Sequence, residues 1–231
     1  IKGSLWGHLL PFSHVRPLKY DAWAWQSITA TRCGGDFDAL ARYTVGLNSQ
    51  LTPSTNGYCQ FMTVLVTGAA GFIGYHVSKA LLARGDAVIG VDNLSDYYDV
   101  ALKQARLDQL APHKDFQFKQ IDLADTAGFD AASAGFRDVS GIVHLAARAG
   151  VRPSLVDPLL YEDVNGRGTL NLLEAARRHS ITRFVFASSS SVYGNVKEIP
   201  FSEEAPVNRP VSPYAATKAA GELYGYNYFH L

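Results

Sequence analysis

The stretch Thr63-Val64-Leu65-Val66-Thr67-Gly68-Ala69-Ala70-Gly71-Phe72-Ile73-Gly74 restricts the fold more than any other part of this sequence. The apolar, β-branched run at its start reads as a buried strand. Glycines then follow in a G-x-x-G-x-x-G arrangement, and beyond them Val77, Ala80 and Leu81 recur at helical spacing up to Gly85. A strand, a tight turn and a helix in that order open a β-α-β unit, the context in which a glycine triplet becomes a dinucleotide site instead of an ordinary turn. Gly68 permits the turn, Gly71 lets the backbone approach a pyrophosphate, and Gly74 allows the helix to pack closely on the strand. Phe72, Ile73 and Gly74 bring first-turn N–H groups and the positive end of the helix dipole to the same place.

The alternation continues down the chain. Residues 87–91 read as a second buried strand, Val100–Leu110 as a helix, 116–121 as a third strand and 141–146 as a fourth. A long helical stretch over 158–179, a fifth strand over 184–187 and a helix from Pro213 onward complete the pattern. Near-continuous apolar strands separated by helices imply a parallel sheet covered on both faces, with right-handed crossovers. The expected fold is therefore α/β, a doubly wound Rossmann-type sheet spanning residues 62–231. Residues 1–61 are rich in Trp, Pro, Gly, Ser and Thr and show no sustained period, so they are expected to stand outside the fold as an extension or a remnant. Met62, the sole methionine, marks the expected natural start.

Composition narrows the function. Hydrophobic residues at 47% and charged residues at 18% exclude a disordered chain. Lys+Arg 21 against Asp+Glu 21 leaves no overall field for nucleic acid or an anionic membrane, so a negative ligand must be held by local groups. Cys33 and Cys59 match no metal-ligand spacing and suggest neither a disulfide framework nor a metal site. No apolar run reaches the ~18 residues that span a bilayer, and a cytoplasmic enzyme is the expectation.

Two local groupings stand out. Asp92 closes the second strand, where a carboxylate accepts hydrogen bonds from ribose hydroxyls and favours NAD over NADP, while Lys103 and Arg106 in the next helix are cations of the kind a 2′-phosphate would want. Asp122 and Leu123, at the end of the third strand, are placed either to flank an adenine or to cap a loop. The second grouping is Tyr214-Ala215-Ala216-Thr217-Lys218. Tyr and Lys at i and i+4 share a helix face, and a neighbouring ammonium favours the phenolate of a group whose reference pKa is about 10. Alone, the pair is as readily an ordinary amphipathic one.

In combination these features resemble the extended short-chain dehydrogenase/reductase family across residues 62–231. The resemblance rests on the glycine turn after the first strand, the acid after the second, Leu145-Ala146-Ala147 ending the fourth, the serines 188–191 ending the fifth, and Y-x-x-x-K. It implies a strand order of 3-2-1-4-5, NAD across the carboxyl ends of the sheet, and cofactor contacts from Asn93, Leu145, Ala146, Ala147, Asn165, Tyr214 and Lys218. It also implies catalysis by Ser189, Tyr214 and Lys218, with Ser190 the next candidate serine, and substrate contacts from Arg152, Ser189 and Ser190. Asp92-Asn93 with Asp96-Tyr97-Tyr98-Asp99, and the run from His144 to Arg152, are similar to UDP-glucuronate 4-epimerases. Related 4,6-dehydratases carry an adjacent Asp-Glu pair where this chain has Ser189-Ser190. The implied function is a UDP-glucuronate/UDP-galacturonate type 4-epimerase working through a transient 4-keto sugar. A UDP-glucose 4-epimerase, another sugar-nucleotide dehydratase or reductase, and a non-catalytic dinucleotide binder remain alternatives. The resemblance further implies a C-terminal substrate lobe beyond Leu231 and a homodimer formed through the Y-x-x-x-K helix and the helix over 163–179.

Overall fold

The computed structural model describes residues 61–231 and two three-residue strands, β1 (Val15–Pro17) and β2 (Gln26–Ile28). Apart from these strands and Phe61, the expectations for residues 1–61, Cys33 and Cys59 among them, fall outside the described residues. The other strands are β3 (Thr63–Thr67), β4 (Ala87–Asp92), β5 (Phe116–Gln120), β6 (Gly141–His144) and β7 (Phe184–Phe186). The sheet order is β1-β2-β7-β6-β3-β4-β5, and all pairings from β7 to β5 are parallel. Counted from β3, this is the expected 3-2-1-4-5 order. β2 adds in parallel to β7, and β1 pairs antiparallel with β2.

Both faces of the sheet are covered, and β3 shows why. Successive strand side chains point to opposite faces. Val64 and Val66 pack with Val77 and Leu81 of α1 (Phe72–Arg84), whereas Leu65 belongs to the opposite cluster with Ile142, Phe129 of α3 (Thr126–Ser133) and Leu172 of α6 (Gly168–Arg178). α2 (Val100–Leu110) packs against α1, and α7 (Pro213–Phe229) against α6. The topological switch between β3 and β6 opens a crevice at the carboxyl ends of the strands, where α/β sheets bind ligands.

The helix ends obey local chemistry. α1 stops at Gly85, as expected, with the cap residue at φ 99. α7 begins where Ser212 accepts the Ala215 N–H at 3.1 Å and Pro213 occupies the first turn. The stretch expected as one helix over 158–179 is broken into α5 (Pro158–Tyr161), a π-helical turn (Glu162–Arg167) and α6. Gly166 and Gly168 weaken the helix there, and the side chain of Asn165 is drawn out of register to bind a neighbouring loop. Two helices went unanticipated, α3 and the short α4 (Val151–Val156). The readable signal for α3 was Asp125, which caps it by accepting the Gly128 N–H at 3.1 Å.

Leu172 is fully buried on the face opposite α1. Leu172→Ala is expected to lower stability by about 2–5 kcal/mol through lost transfer energy and the cavity left behind, measured by chemical denaturation.

Candidate active site

The glycine turn is shaped by two close approaches. Gly68 sits at φ 71, a left-handed conformation that favours glycine, and its N–H and that of Ala69 donate to the Val91 carbonyl at 2.7 and 3.1 Å. A Cβ on Gly74 would lie 2.0 Å from the Gly68 carbonyl oxygen, so only glycine lets α1 start this near to β3. The N-cap of α1 is Gly71, with no side-chain cap and no acidic residue in the first turn, which leaves the positive end of the dipole unneutralised. Here the chain offers an anion a helix start.

Beside this turn lies an open cleft. Gly68 and Gly71 line it, with Asp92, Asn93, Asp122 and Leu123 from the β4 and β5 ends and Leu145, Ala146 and Ala147 from the loop after β6. Phe72, Ile73 and Gly74 stand at the helix start next to the cleft and are not among its lining residues. Asp92 is buried and already engaged: Oδ1 accepts from the Leu94 N–H at 2.8 Å and Lys103 Nζ at 3.2 Å, and Oδ2 from the Ala70 N–H at 3.3 Å. Lys103, buried against Asp92, also lines the cleft, and Arg106 donates to the Ala70 carbonyl at 3.2 Å. Asn93 donates to the Asp122 carboxylate at 3.1 Å, which ties the β4 and β5 ends together.

The chemistry-bearing helix, α7, is registered against the end of β7 by residues four apart. Lys218 is buried and its ammonium donates to the Ala187 carbonyl at 2.9 Å, above the Phe186 ring; burial lowers its pKa to about 8. Ser188 donates to Glu222 Oε1 at 2.5 Å. Ser189 lies beside Tyr214, where its hydroxyl favours the phenolate. Burial raises the Tyr214 pKa, the Ser189 contact works in the opposite direction, and Tyr97 raises it further. The expected lowering by Lys218 is not among these causes, since that ammonium is directed to Ala187. Ser189 caps the turn Ser190–Tyr193 by accepting the Ser191 N–H at 3.2 Å, and Ser190 starts that turn. Of the clustered serines, Ser189 is therefore the one brought to Tyr214.

Two other expected residues sit elsewhere. Arg152 is exposed on α4, and the nearby Asp157 caps α5 by accepting the Leu160 N–H at 3.1 Å. Asn165 is buried behind the cleft as a clamp. Its Oδ1 accepts the Arg148 N–H at 2.8 Å, and its amide donates to the Arg148 carbonyl at 3.1 Å and to Thr217 at 3.2 Å. Sequence reasoning missed Tyr97 and Arg148 as cleft residues, and it missed the buried position of Lys103. A loop aromatic and a loop arginine carry no periodic signal. Among the described residues no group of three His, Cys, Asp or Glu side chains is placed to hold a metal.

His144 organises the β6 side from within. Its ring bridges Thr67 Oγ1 at 2.7 Å and Thr169 Oγ1 at 3.0 Å. Thr169 donates to the Asn165 carbonyl at 2.5 Å, so it accepts from Nε2–H, and Nδ1 then accepts from Thr67. Thr67 Oγ1 in turn accepts the Leu145 and Ala146 N–H groups at 3.2 and 3.1 Å, hanging this edge of the cleft from the sheet. Burial lowers the His144 pKa to about 3, below the unfolded value of 6.5. The group therefore contributes nothing to pH dependence above pH 6.5 and costs stability progressively as pH falls from 6.5 toward 3. The imidazole resonances of His144 are expected to stay constant between pH 5 and 9 in an NMR titration.

Residues 65–231, more than half of the chain, match the family model described as GDP-mannose 4,6 dehydratase. A UDP-glucuronate 4-epimerase of Thermodesulfobacterium geofontis is 50% identical over 169 residues, covering 72% of this chain and 51% of that protein. A UDP-glucuronic acid 4-epimerase from Bacillus cereus, solved with UDP-glucuronic acid and NAD, superposes with a TM-score of 0.66 at 36% identity over 74% of this chain and 54% of that one. The NAD complex of a UDP-glucose 4-epimerase from Thermus thermophilus gives 0.63 at 42% identity over 73% and 51%. The chain spans about half the length of the relatives it matches. With the sheet order, the glycine turn and the Tyr214–Ser189–Lys218 grouping in place, the chain belongs to the NAD-dependent epimerase/dehydratase family of short-chain dehydrogenases/reductases.

Proposed function

We propose that this chain is the cofactor-binding half of an NAD-dependent nucleotide-sugar 4-epimerase of the UDP-glucuronate/UDP-galacturonate type. The observation that carries the reading is the pairing of Tyr214 with Ser189 beside a buried Lys218, with Tyr97, a cleft residue, near enough to influence the Tyr214 phenol. The cleft suits a dinucleotide. A helix start with no acidic residue would meet its pyrophosphate, Asp92 and Lys103 would meet its adenosine ribose, and the cleft residue Arg148 is tied through Asn165 to Thr217 on the helix that carries Tyr214. Bound NAD supplies reversible two-electron oxidation at the sugar C4. Tyr214 takes the proton of the 4-hydroxyl and later returns it, while Ser189 holds the sugar oxygen. Lys218, with its lowered pKa, sits at the strand end where it assists that transfer and fixes the helix register. Arg152, exposed at the mouth of α4, is the candidate for a substrate anion.

The solved relatives with NAD and UDP-sugars support this reading. A second reading, a 4,6-dehydratase, is favoured by the description of the matching family model and by a dTDP-glucose 4,6-dehydratase from Streptomyces venezuelae, similar at a TM-score of 0.65 and 33% identity. Against it stand Ser189 and Ser190, which offer no carboxyl acid and base for removing water. We propose a homodimer as the working assembly, since Leu155, Val156 and Leu159 on α4 and α5 and Leu223 and Tyr226 on α7 expose apolar surface on helices that pack together. Among the described residues no helix is long and apolar enough to cross a membrane, and we place the reaction in the cytoplasm.

In the whole protein, Tyr214→Phe is expected to lower turnover of UDP-glucuronate by about 10²–10⁴-fold while NAD affinity stays within a few-fold, read by product chromatography and calorimetry. Undiminished epimerisation overturns the role of the phenol.

A further inference from the structure

The loop 93–99 does not simply leave β4 and enter α2. Consecutive side-chain turns, the Leu94 N–H on Asp92 and the Ser95 N–H on Asn93 at 3.0 Å, fold it back over the carboxyl ends of the sheet. Its Tyr97 reaches the loop after β6, where the hydroxyl donates to the Ala149 carbonyl at 2.6 Å. β4 and β6 flank β3 on opposite sides. At the spacing of neighbouring strands, that contact joins loops whose strands lie roughly 10 Å apart, across the end of β3 and its glycine turn.

The far anchor is rigid. The Arg148 guanidinium stands 4.9 Å from the centre of the Tyr97 ring, and the Arg148 backbone is held at both N–H and carbonyl by Asn165. The Ala149 carbonyl also accepts from Tyr161 at 2.6 Å, and the Tyr161 ring meets that of Tyr214 edge-on at 6.1 Å. Tyr97 is otherwise 40% exposed, so burial in a core does not account for its position. This contact bridges the two sides of the cleft.

We infer that Tyr97 is a clasp over the dinucleotide cleft, its hydroxyl bond to Ala149 closing the passage across the glycine turn so that the cofactor stays resident through successive turnovers. The inference rests on the proposed cofactor reading. It gives Tyr97 the task of retention: an epimerase regenerates its cofactor in place and gains nothing by releasing it, whereas a dehydrogenase must exchange it each cycle.

The test uses the whole protein loaded with NADH and chased with excess NAD, with the loss of bound NADH fluorescence giving the release rate. Tyr97→Phe keeps the ring on Arg148 and removes the bridging bond. Its release rate is expected to rise about 3- to 10-fold, the size of one net hydrogen bond, and that of Tyr97→Ala to rise further. Release from Tyr97→Phe that is unchanged or slower overturns the clasp while leaving the cofactor reading intact. Failure of the parent protein to bind NADH overturns both.

Discussion

The structure depends on one steric condition: α1 must start against the end of β3 with no side chain between them. The 2.0 Å that a Cβ on Gly74 would leave to the Gly68 carbonyl shows how completely that space is used. The left-handed Gly68 and its bonds to Val91 bind the same turn to β4, and a Cβ there would press on the Ala146 N–H of the β6 loop at 2.9 Å. Three strand ends thus meet at one turn. The uncapped start of α1 then faces the cleft as a consequence of packing, so the backbone alone presents the positive end of a helix dipole there, beside Lys103 and Arg106 of α2.

Farther along the same carboxyl edge of the sheet, at β7, a register of residues four apart sets the candidate catalytic groups. Tyr214, Lys218 and Glu222 on α7 meet Ser189, Ala187 and Ser188 in turn, so helix and strand end are fixed to each other by polar contacts. In water-depleted surroundings such contacts are costly to misplace, which holds the phenol, hydroxyl and ammonium in a narrow range of positions. Burial acts on the two titrating groups in the same sense, toward neutrality: it raises the phenol and lowers the ammonium to about 8, so the amine becomes the weaker base of the two.

Most of the scaffold was legible in the sequence because its signals are local. The run before Gly68, the stop at Gly85 and the Ser212-Pro213 start each carry their own physical cause, and the strands fell within a residue or two of their expected positions. Of the four neighbouring serines the family resemblance points to Ser189, and the fold sets that residue beside Tyr214. What could not be read was long-range. The π-helical turn exists because Asn165 serves Arg148 and Thr217, two partners brought to it only by the fold. The partners of Asp92 and the reach of Tyr97 are likewise set by loops that carry no period, and the attenuated electrostatic role of Lys218 follows from the position of one carbonyl, Ala187.

The proposed reaction at the sugar C4 is closed within the site, with Tyr214 cycling one proton and the carbon-bound hydrogen never reaching water. Epimerisation of UDP-glucuronate deuterated at C4, in ordinary water and followed by mass spectrometry and NMR, tests this most directly. A closed reaction gives an inverted product that retains deuterium at C4. Loss of the label to solvent in step with inversion would contradict it.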